Sequence, residues 1–269
     1  MPPKSPETVG RNIRLPKSRR LVVDLLKYSR RVPSQALTRY CNVKEVAALR
    51  SQVDPKVSWP ALFIKAYALM SARRPQLRRL YMKWPWGYFY EHPYTIGRMT
   101  VSRQIDGEDW VLFARFVKPE IVPLARLHDL VAETRDLPVE QVERFRQQIA
   151  FAGVPTFLRR IAWWVSMNVS GYMRATRFGT FGLTTVSSLG AISIHPPCTG
   201  ATTFTLGPVA KDGTVRVTMV YDHRMLDGAP VANYLRELEE TLNTEILAEL
   251  KAMQATGSTT RPAEATPSA

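Results

Sequence analysis

Val215, Val217, Met219 and Tyr221 alternate with Arg216, Thr218 and Val220, and the run ends in Tyr221-Asp222-His223-Arg224-Met225-Leu226-Asp227-Gly228. An amphipathic stretch through Leu235, Leu238, Leu242 and Ile246 follows, with Pro230 in its first turn. A period of two giving way at once to a helical period requires a strand, a tight turn and a helix in immediate succession. The strand end therefore delivers a histidine, His223, with the carboxylate of Asp227 four residues on and Gly228 to make the turn. Such a turn can hold an imidazole in one orientation, which general-base work requires. A lone histidine in a polar turn is more often simply hydrogen-bonded there, so the neighbouring residues have to decide.

Asp222-His223-Arg224-x-x-Asp227-Gly228 resembles the D-H-R-x-x-D-G signature of the dihydrolipoyl acyltransferase catalytic domain of 2-oxoacid dehydrogenase complexes. Chloramphenicol acetyltransferase, of the same fold, carries the related H-x-x-x-D-G. A second match lies upstream: Gly179-Thr180-Phe181, then Thr185-Val186-Ser187-Ser188-Leu189-Gly190, is similar to the family's G-T-F...T-I-S-N/S-L-G, and Pro196-Pro197 matches the prolines that follow it. The resemblance covers residues 18–248, strongly at these late motifs and weakly before Pro75.

The resemblance implies a chloramphenicol acetyltransferase-like α/β fold, a two-layer sandwich of a mixed sheet with helices on one face. It implies an acyltransferase that moves an acyl group from a thioester donor, acyl-CoA or the phosphopantetheine of an acyl-carrier protein, to a thiol, hydroxyl or amine acceptor. His223 would be the base and Ser187 would hydrogen-bond the oxyanion. Asp227, where the family has Asp or Asn, would support the turn by pairing with an arginine, for which Arg20 is the suggested partner. In the family these residues meet across a subunit boundary, so a homotrimer is expected. No metal is required if the acceptor attacks directly.

Charge bears on the partners. Lys and Arg number 37 against 23 Asp and Glu, a net +14. Such a field favours anionic partners: coenzyme A phosphates, an acidic carrier protein, nucleic acid or an anionic membrane surface. Nucleic acid ranks last, because only charge and aromatic residues point to it. Two cysteines, Cys41 and Cys198, are too few for a disulfide framework or a cysteine-rich zinc site, and a reducing, cytoplasmic setting is expected. The first residues show no apolar core of a signal peptide, and nowhere do about 18 consecutive apolar residues occur. Four histidines at no ligand spacing predict no zinc site, and neither G-x-G-x-x-G nor G-x-x-x-x-G-K-[ST] occurs.

In chain order, residues 1–17 read as a flexible basic arm. Ser18 to Ser29 reads as a helix with an apolar stripe of Leu21, Val22, Leu25 and Leu26, and Gln35 to Val43 as a strand. Ala61 to Ala72 is apolar almost all round and is expected to be a buried helix. Residues 84–93 are dense in aromatics, read as a strand edge and turn packed on the core rather than a base-stacking surface. Thr95 to Ile105 and Trp110 to Val117 form a hairpin about residues 106–109, Pro123 to Arg135 a helix, and Thr199 to Pro208 with Thr214 to Asp222 a second hairpin about Asp212-Gly213.

Between 137 and 177 the chain carries about two dozen residues more than the family's spacing, read as a helical insertion. It contains a basic, tryptophan-bearing amphipathic helix at 156–169, suited to a membrane interface or an acyl pocket, or else packed on the sheet or a neighbouring subunit. The catalytic domain is placed at 18–248 and the tail at 249–269, disordered from 257 by composition.

His195 is read as fitting a loop beside the serine motif, and His92 and His128 as structural. The arm before Ser18 has no room for a lipoyl or subunit-binding domain, so a stand-alone acyltransferase is the expected form. The alternatives are a core subunit of a 2-oxoacid dehydrogenase complex using lipoyl groups supplied in trans, and a scaffold of the same fold without activity.

Overall fold

The computed structural model describes residues 10–259. The elements run α1 (Lys17–Ser29), β1 (Ser34–Asn42), α2 (Lys44–Arg50), α3 (Trp59–Arg73), β2 (Arg79–Met82), β3 (Tyr88–Glu91), β4 (Ile96–Ile105), β5 (Glu108–Val117), α4 (Leu124–Asp136), α5 (Glu143–Gly153), α6 (Thr156–Asn168), α7 (Gly171–Phe178), β6 (Phe181–Thr185), β7 (Thr202–Val209), β8 (Thr214–Asp222), α8 (Gly228–Thr241) and, after a π-helical turn, α9 (Leu247–Thr259). Six strands make one mixed sheet in the order β1-β8-β7-β6-β4-β5, and β2 pairs only with β3. β6 is parallel to both β4 and β7; the other neighbours are antiparallel.

A helix that is apolar on every side has to be buried on every side. α3 is such a helix: Ala61 to Ala68 is buried without a break. Its Tyr67 ring stacks on Phe204 at 5.1 Å and lies 4.3 Å from Phe181, which joins the helix to the middle of the sheet. Lys65 is buried in the same helix, and its ammonium donates to the Val122 carbonyl at 2.5 Å. A buried chain-end amine without an acceptor would cost more than its hydrophobic stem returns.

The strands sort the remaining helices by alternation. Along β5, Leu112 and Ala114 enter the main core while Phe113 faces a second cluster of Leu25, Tyr28, Trp163, Met167 and Phe178. α1 and α6 therefore lie over the β5 side of the opposite face, in addition to the helical layer of α3, α4 and α8. The Trp163 ring stacks on Tyr28 at 5.5 Å and on Phe178 at 4.4 Å. Beside it, Arg159 of α6 donates to Asp24 of α1 at 2.5 Å, with both side chains almost wholly excluded from water.

The inward side of α6 thus packs within the chain, and Phe157, Leu158, Ile161 and Trp164 remain exposed on its outward side. α5 closes the open edge of the sheet. Its Gln148 side chain accepts from the Phe113 N–H and donates to the Phe113 carbonyl, both at 3.0 Å, as a neighbouring strand would.

Several expectations need adjusting. The first hairpin turns on two residues, Asp106 (φ 51°) and Gly107 (φ 75°), with Ile105 paired to Glu108, because positive φ at both positions matches the twist of the strands. In the aromatic stretch Tyr88 and Tyr90 turn inward, towards Leu80, Met82 and Ala175, and His92 is buried. Trp84, Trp86 and Phe89 are exposed, since a two-stranded hairpin buries one face only. Helix α9 carries the backbone through 257–259, where disorder was expected; residues 260–269 lie outside the described residues, as do residues 1–9 of the basic arm. Residues 10–16 have neither helix nor strand.

The Asp24–Arg159 pair makes the first prediction. Asp24→Ala strands a buried guanidinium and should cost about 3–5 kcal/mol in urea unfolding, while Asp24→Leu with Arg159→Met should recover most of it. A loss under 1 kcal/mol for the single variant would show that the pair does not join α1 to α6.

Candidate active site

Asp222 ends β8 with no exposed surface, so its charge has to be met inside the protein. Arg224, two residues on, folds back and donates to both carboxylate oxygens, Nε to Oδ1 at 2.8 Å and a terminal nitrogen to Oδ2 at 2.6 Å, and the Arg224 N–H donates to Oδ1 at 3.1 Å. Arg174 of α7, also fully buried, lies 4.0 Å from Oδ2. It donates to the carbonyls of Thr199 at 2.9 Å and Tyr81 at 2.6 Å. Burial pulls the Arg174 pKa down to about 10, with Asp222 acting against the fall. The Arg224 guanidinium stacks 4.3 Å above the Tyr81 ring. None of these partners was singled out from the sequence; the D-H-R triplet was the available signal for the first.

This knot fixes His223. Its backbone N–H donates to the Pro33 carbonyl at 3.0 Å, and the turn closes through Met225 and Leu226 N–H groups on the Asp222 carbonyl. Asp227 stands at the start of α8, and its carboxylate lies 3.4 Å from His223 Nδ1. The contact is one of charge proximity between two exposed side chains, and the described residues offer Nε2 no hydrogen-bond partner. Arg20 does not serve Asp227: its guanidinium donates to the Ala152 carbonyl at 3.3 Å, since α1 packs against α5.

The second motif docks β6 into the sheet and then makes a turn. Gly179 has φ 80°, and a Cβ there would lie 2.9 Å from the Phe181 carbonyl and 3.0 Å from that of Ile96. Thr180 then accepts from the Ile96 N–H at 3.0 Å, and Phe181 enters the core under Tyr67. Beyond β6, Ser187 opens a single 3-10 turn that closes at Gly190 with φ 71°. Its hydroxyl oxygen accepts from Thr185 at 2.8 Å, so the Ser187 proton is free for another acceptor.

Sheet direction places these two groups apart. Phe181 pairs with Thr202 and Thr202 with Tyr221, whereas Thr185 pairs with Leu206 and Leu206 with Val217. β6 runs towards Ser187 as β8 runs away from it, so Ser187 and His223 leave the sheet at opposite ends. Four residues of strand, ~13 Å, separate the two levels before either chain continues. Neither residue, nor Asp227, lines any of the three principal cavities of the single chain.

His195 comes to the histidine end instead. Its Nε2 is 3.5 Å from the hydroxyl of Ser34, which pairs with Asp222. His128 accepts from the Ser58 N–H at 3.2 Å ahead of α3, and His92 is buried against Tyr90 and Tyr94. Among the described residues no group of three or more His, Cys, Asp or Glu could hold a metal ion, and no helix is long and apolar enough to cross a membrane. Burial pushes the thiols of Cys41 and Cys198 up to about 12.

The chain has the fold of acyltransferase catalytic cores. A probable dihydrolipoamide acetyltransferase from Listeria monocytogenes superposes with a TM-score of 0.60 at 15% identity, covering 87% of this chain and 94% of that one. The truncated catalytic core of a 2-oxoacid dehydrogenase complex from Thermoplasma acidophilum gives 0.62 at 12% identity, covering 87% and 99%. The dihydrolipoamide acetyltransferase of Azotobacter vinelandii, solved to investigate a serine, a histidine and an asparagine in its catalytic mechanism, gives 0.61 at 16%, covering 93% and 98%. At these identities the likeness is one of fold, and it is the chloramphenicol acetyltransferase-like α/β fold that the motifs imply. No family model matches the sequence, and no curated protein matches it.

The buried thiols make the second prediction. A thiol with a pKa near 12 is almost wholly protonated at pH 8, so neither cysteine should react with an aromatic disulfide reagent in the native protein, and both should react in guanidinium. A rapidly titrating thiol in the folded chain would contradict the burial described.

Proposed function

We propose that this protein is an acyltransferase whose active site is shared between subunits of a homotrimer. The carrying observation is the placement of His223 and Ser187 at opposite ends of one sheet, because a base and an oxyanion donor on the same reaction must come within a few ångströms of one carbonyl. One chain cannot bring them together without breaking the sheet. A neighbour related by a rotation axis can supply the second.

In the proposed reaction a thiol, hydroxyl or amine acceptor gives its proton to Nε2 of His223 as it attacks the carbonyl carbon of the thioester. Asp227 keeps the other nitrogen protonated and steadies the imidazolium that forms. Ser187 of the neighbouring chain donates to the tetrahedral oxyanion, its oxygen already accepting one hydrogen bond from Thr185. Collapse expels the thiolate, which takes the proton back from His223. The donor is an acyl-CoA or an acylated carrier protein, both anionic, and the net +14 of the chain favours either in the encounter. No cysteine relay is invoked, because both thiols are buried and protonated.

His223→Ala should abolish thiol release from acyl-CoA with the assembly intact; residual activity within about tenfold of wild type, a barrier change of ~1.4 kcal/mol, would remove the assignment. The shared site has a sharper test. His223→Ala and Ser187→Ala should each be inactive alone, yet co-assembled in equal amounts they should regain about a quarter of the wild-type sites. No recovery from demonstrably mixed trimers would exclude the shared site. Failure of every donor with the wild-type chain would favour a scaffold without activity, and turnover only with added lipoyl domains would favour the core of a 2-oxoacid dehydrogenase complex.

A further inference from the structure

Behind β5, on the side away from α3, lies a cavity of about 270 Å³. Phe113, Phe151 and Trp163 contribute its apolar wall; among the described residues Arg98, Arg144 and Arg177 are its only charged groups, and no carboxylate lines it.

Arg98 is the unusual member. It is 7% exposed, its guanidinium sits 4.5 Å over the Phe113 ring, and its side chain makes no hydrogen bond or ion pair with any described residue. Arg144 donates only to the Arg177 carbonyl, at 3.1 Å, and Arg177 donates to Ser166 at 2.7 Å and to the Ala162 carbonyl at 3.5 Å. Burial lowers the Arg98 pKa to about 10 and also lowers that of Arg144, where the charges of Arg115 and Arg177 add to the effect. A guanidinium nevertheless stays protonated at neutral pH, so it cannot escape its isolation by losing charge. Elsewhere the same chain meets buried arginines with acids, Arg159 with Asp24 and Arg174 with Asp222. Here the acid is missing while the space for one is present.

We infer that this cavity binds a small amphiphile, an oxyanion head on an apolar body, with the head against Arg98 and the body between the aromatic rings. An inorganic ion would satisfy the arginine and leave the rings unused; a neutral hydrocarbon would leave the charge unmet. The volume equals ~9 waters at ~30 Å³ each, enough for an aromatic or medium-chain acid. The cavity takes much of its wall from α5 and α6, and His223, Asp227 and Ser187 lie outside it, so it is a second site independent of the acyltransferase reading.

Calorimetry on the full chain with octanoate, octyl phosphate, octanamide and inorganic phosphate tests it. One of the two octyl anions should bind at least tenfold tighter than octanamide and than inorganic phosphate, and the stronger of the two identifies the head group. Arg98→Met should erase the preference for the anion and, with the isolated charge gone, raise the melting temperature of the ligand-free protein. Arg144→Gln, at a half-buried position that keeps the fold, should weaken the octyl anion severalfold while leaving acyl transfer unchanged. Neither octyl anion binding tighter than octanamide, undiminished anion binding in both variants, inorganic phosphate binding as tightly as the stronger octyl anion, or no binding of any probe would each overturn the site.

Discussion

A carboxylate with no access to water, at the end of β8, holds the His223 end of the sheet together. Asp222 needs donors, and it takes them from its own turn through Arg224 and faces a further cation on α7, Arg174, whose remaining donors reach back to Thr199 and Tyr81. One charge thereby connects β8, β2, α7 and the segment before β7. The arrangement is stiff because no partner can leave without stranding another in a region of low polarity. His223 inherits that stiffness: its backbone is pinned to Pro33, and only its ring faces solvent, with Asp227 beside Nδ1.

The same economy appears twice more with different outcomes. Asp24 and Arg159 form a closed pair that fastens α6 to α1. Arg98, buried as well, has no acid among the described residues. A chain of net +14 has arginines to spare, and composition cannot say which of them are structural, which steer a partner and which wait for an anion. Burial and geometry make that distinction, because a surface cation is screened by water while an enclosed one is not.

Mixed pairing in the sheet has an equally strong consequence. Because β6 is parallel to β7 and β7 antiparallel to β8, the two late motifs, only 36 positions apart between Ser187 and His223, point in opposite directions. The loop from Gly190 to Ala201 runs back between those ends, bringing His195 to Ser34 and Pro197 over Thr203. Assembly, rather than folding, is then what would complete a reaction centre.

Much was legible from local pattern alone. The alternation in β8, the all-round apolarity of α3, the hairpin turns and the run of helices between 137 and 177 depend on neighbours in sequence, and the chain carries them openly. The motifs around Ser187 and His223 likewise supplied the side chains on which the proposed reaction rests. What the sequence could not hold is the direction in which each strand is laid into the sheet, the pinning of the His223 backbone by Pro33, the pairing of Arg20 with the Ala152 carbonyl rather than with Asp227, and the lack of an acid beside Arg98. Those are set by contacts between residues far apart in the chain, where the energy of enclosing a charge or an edge selects one arrangement among many that the local pattern allows equally.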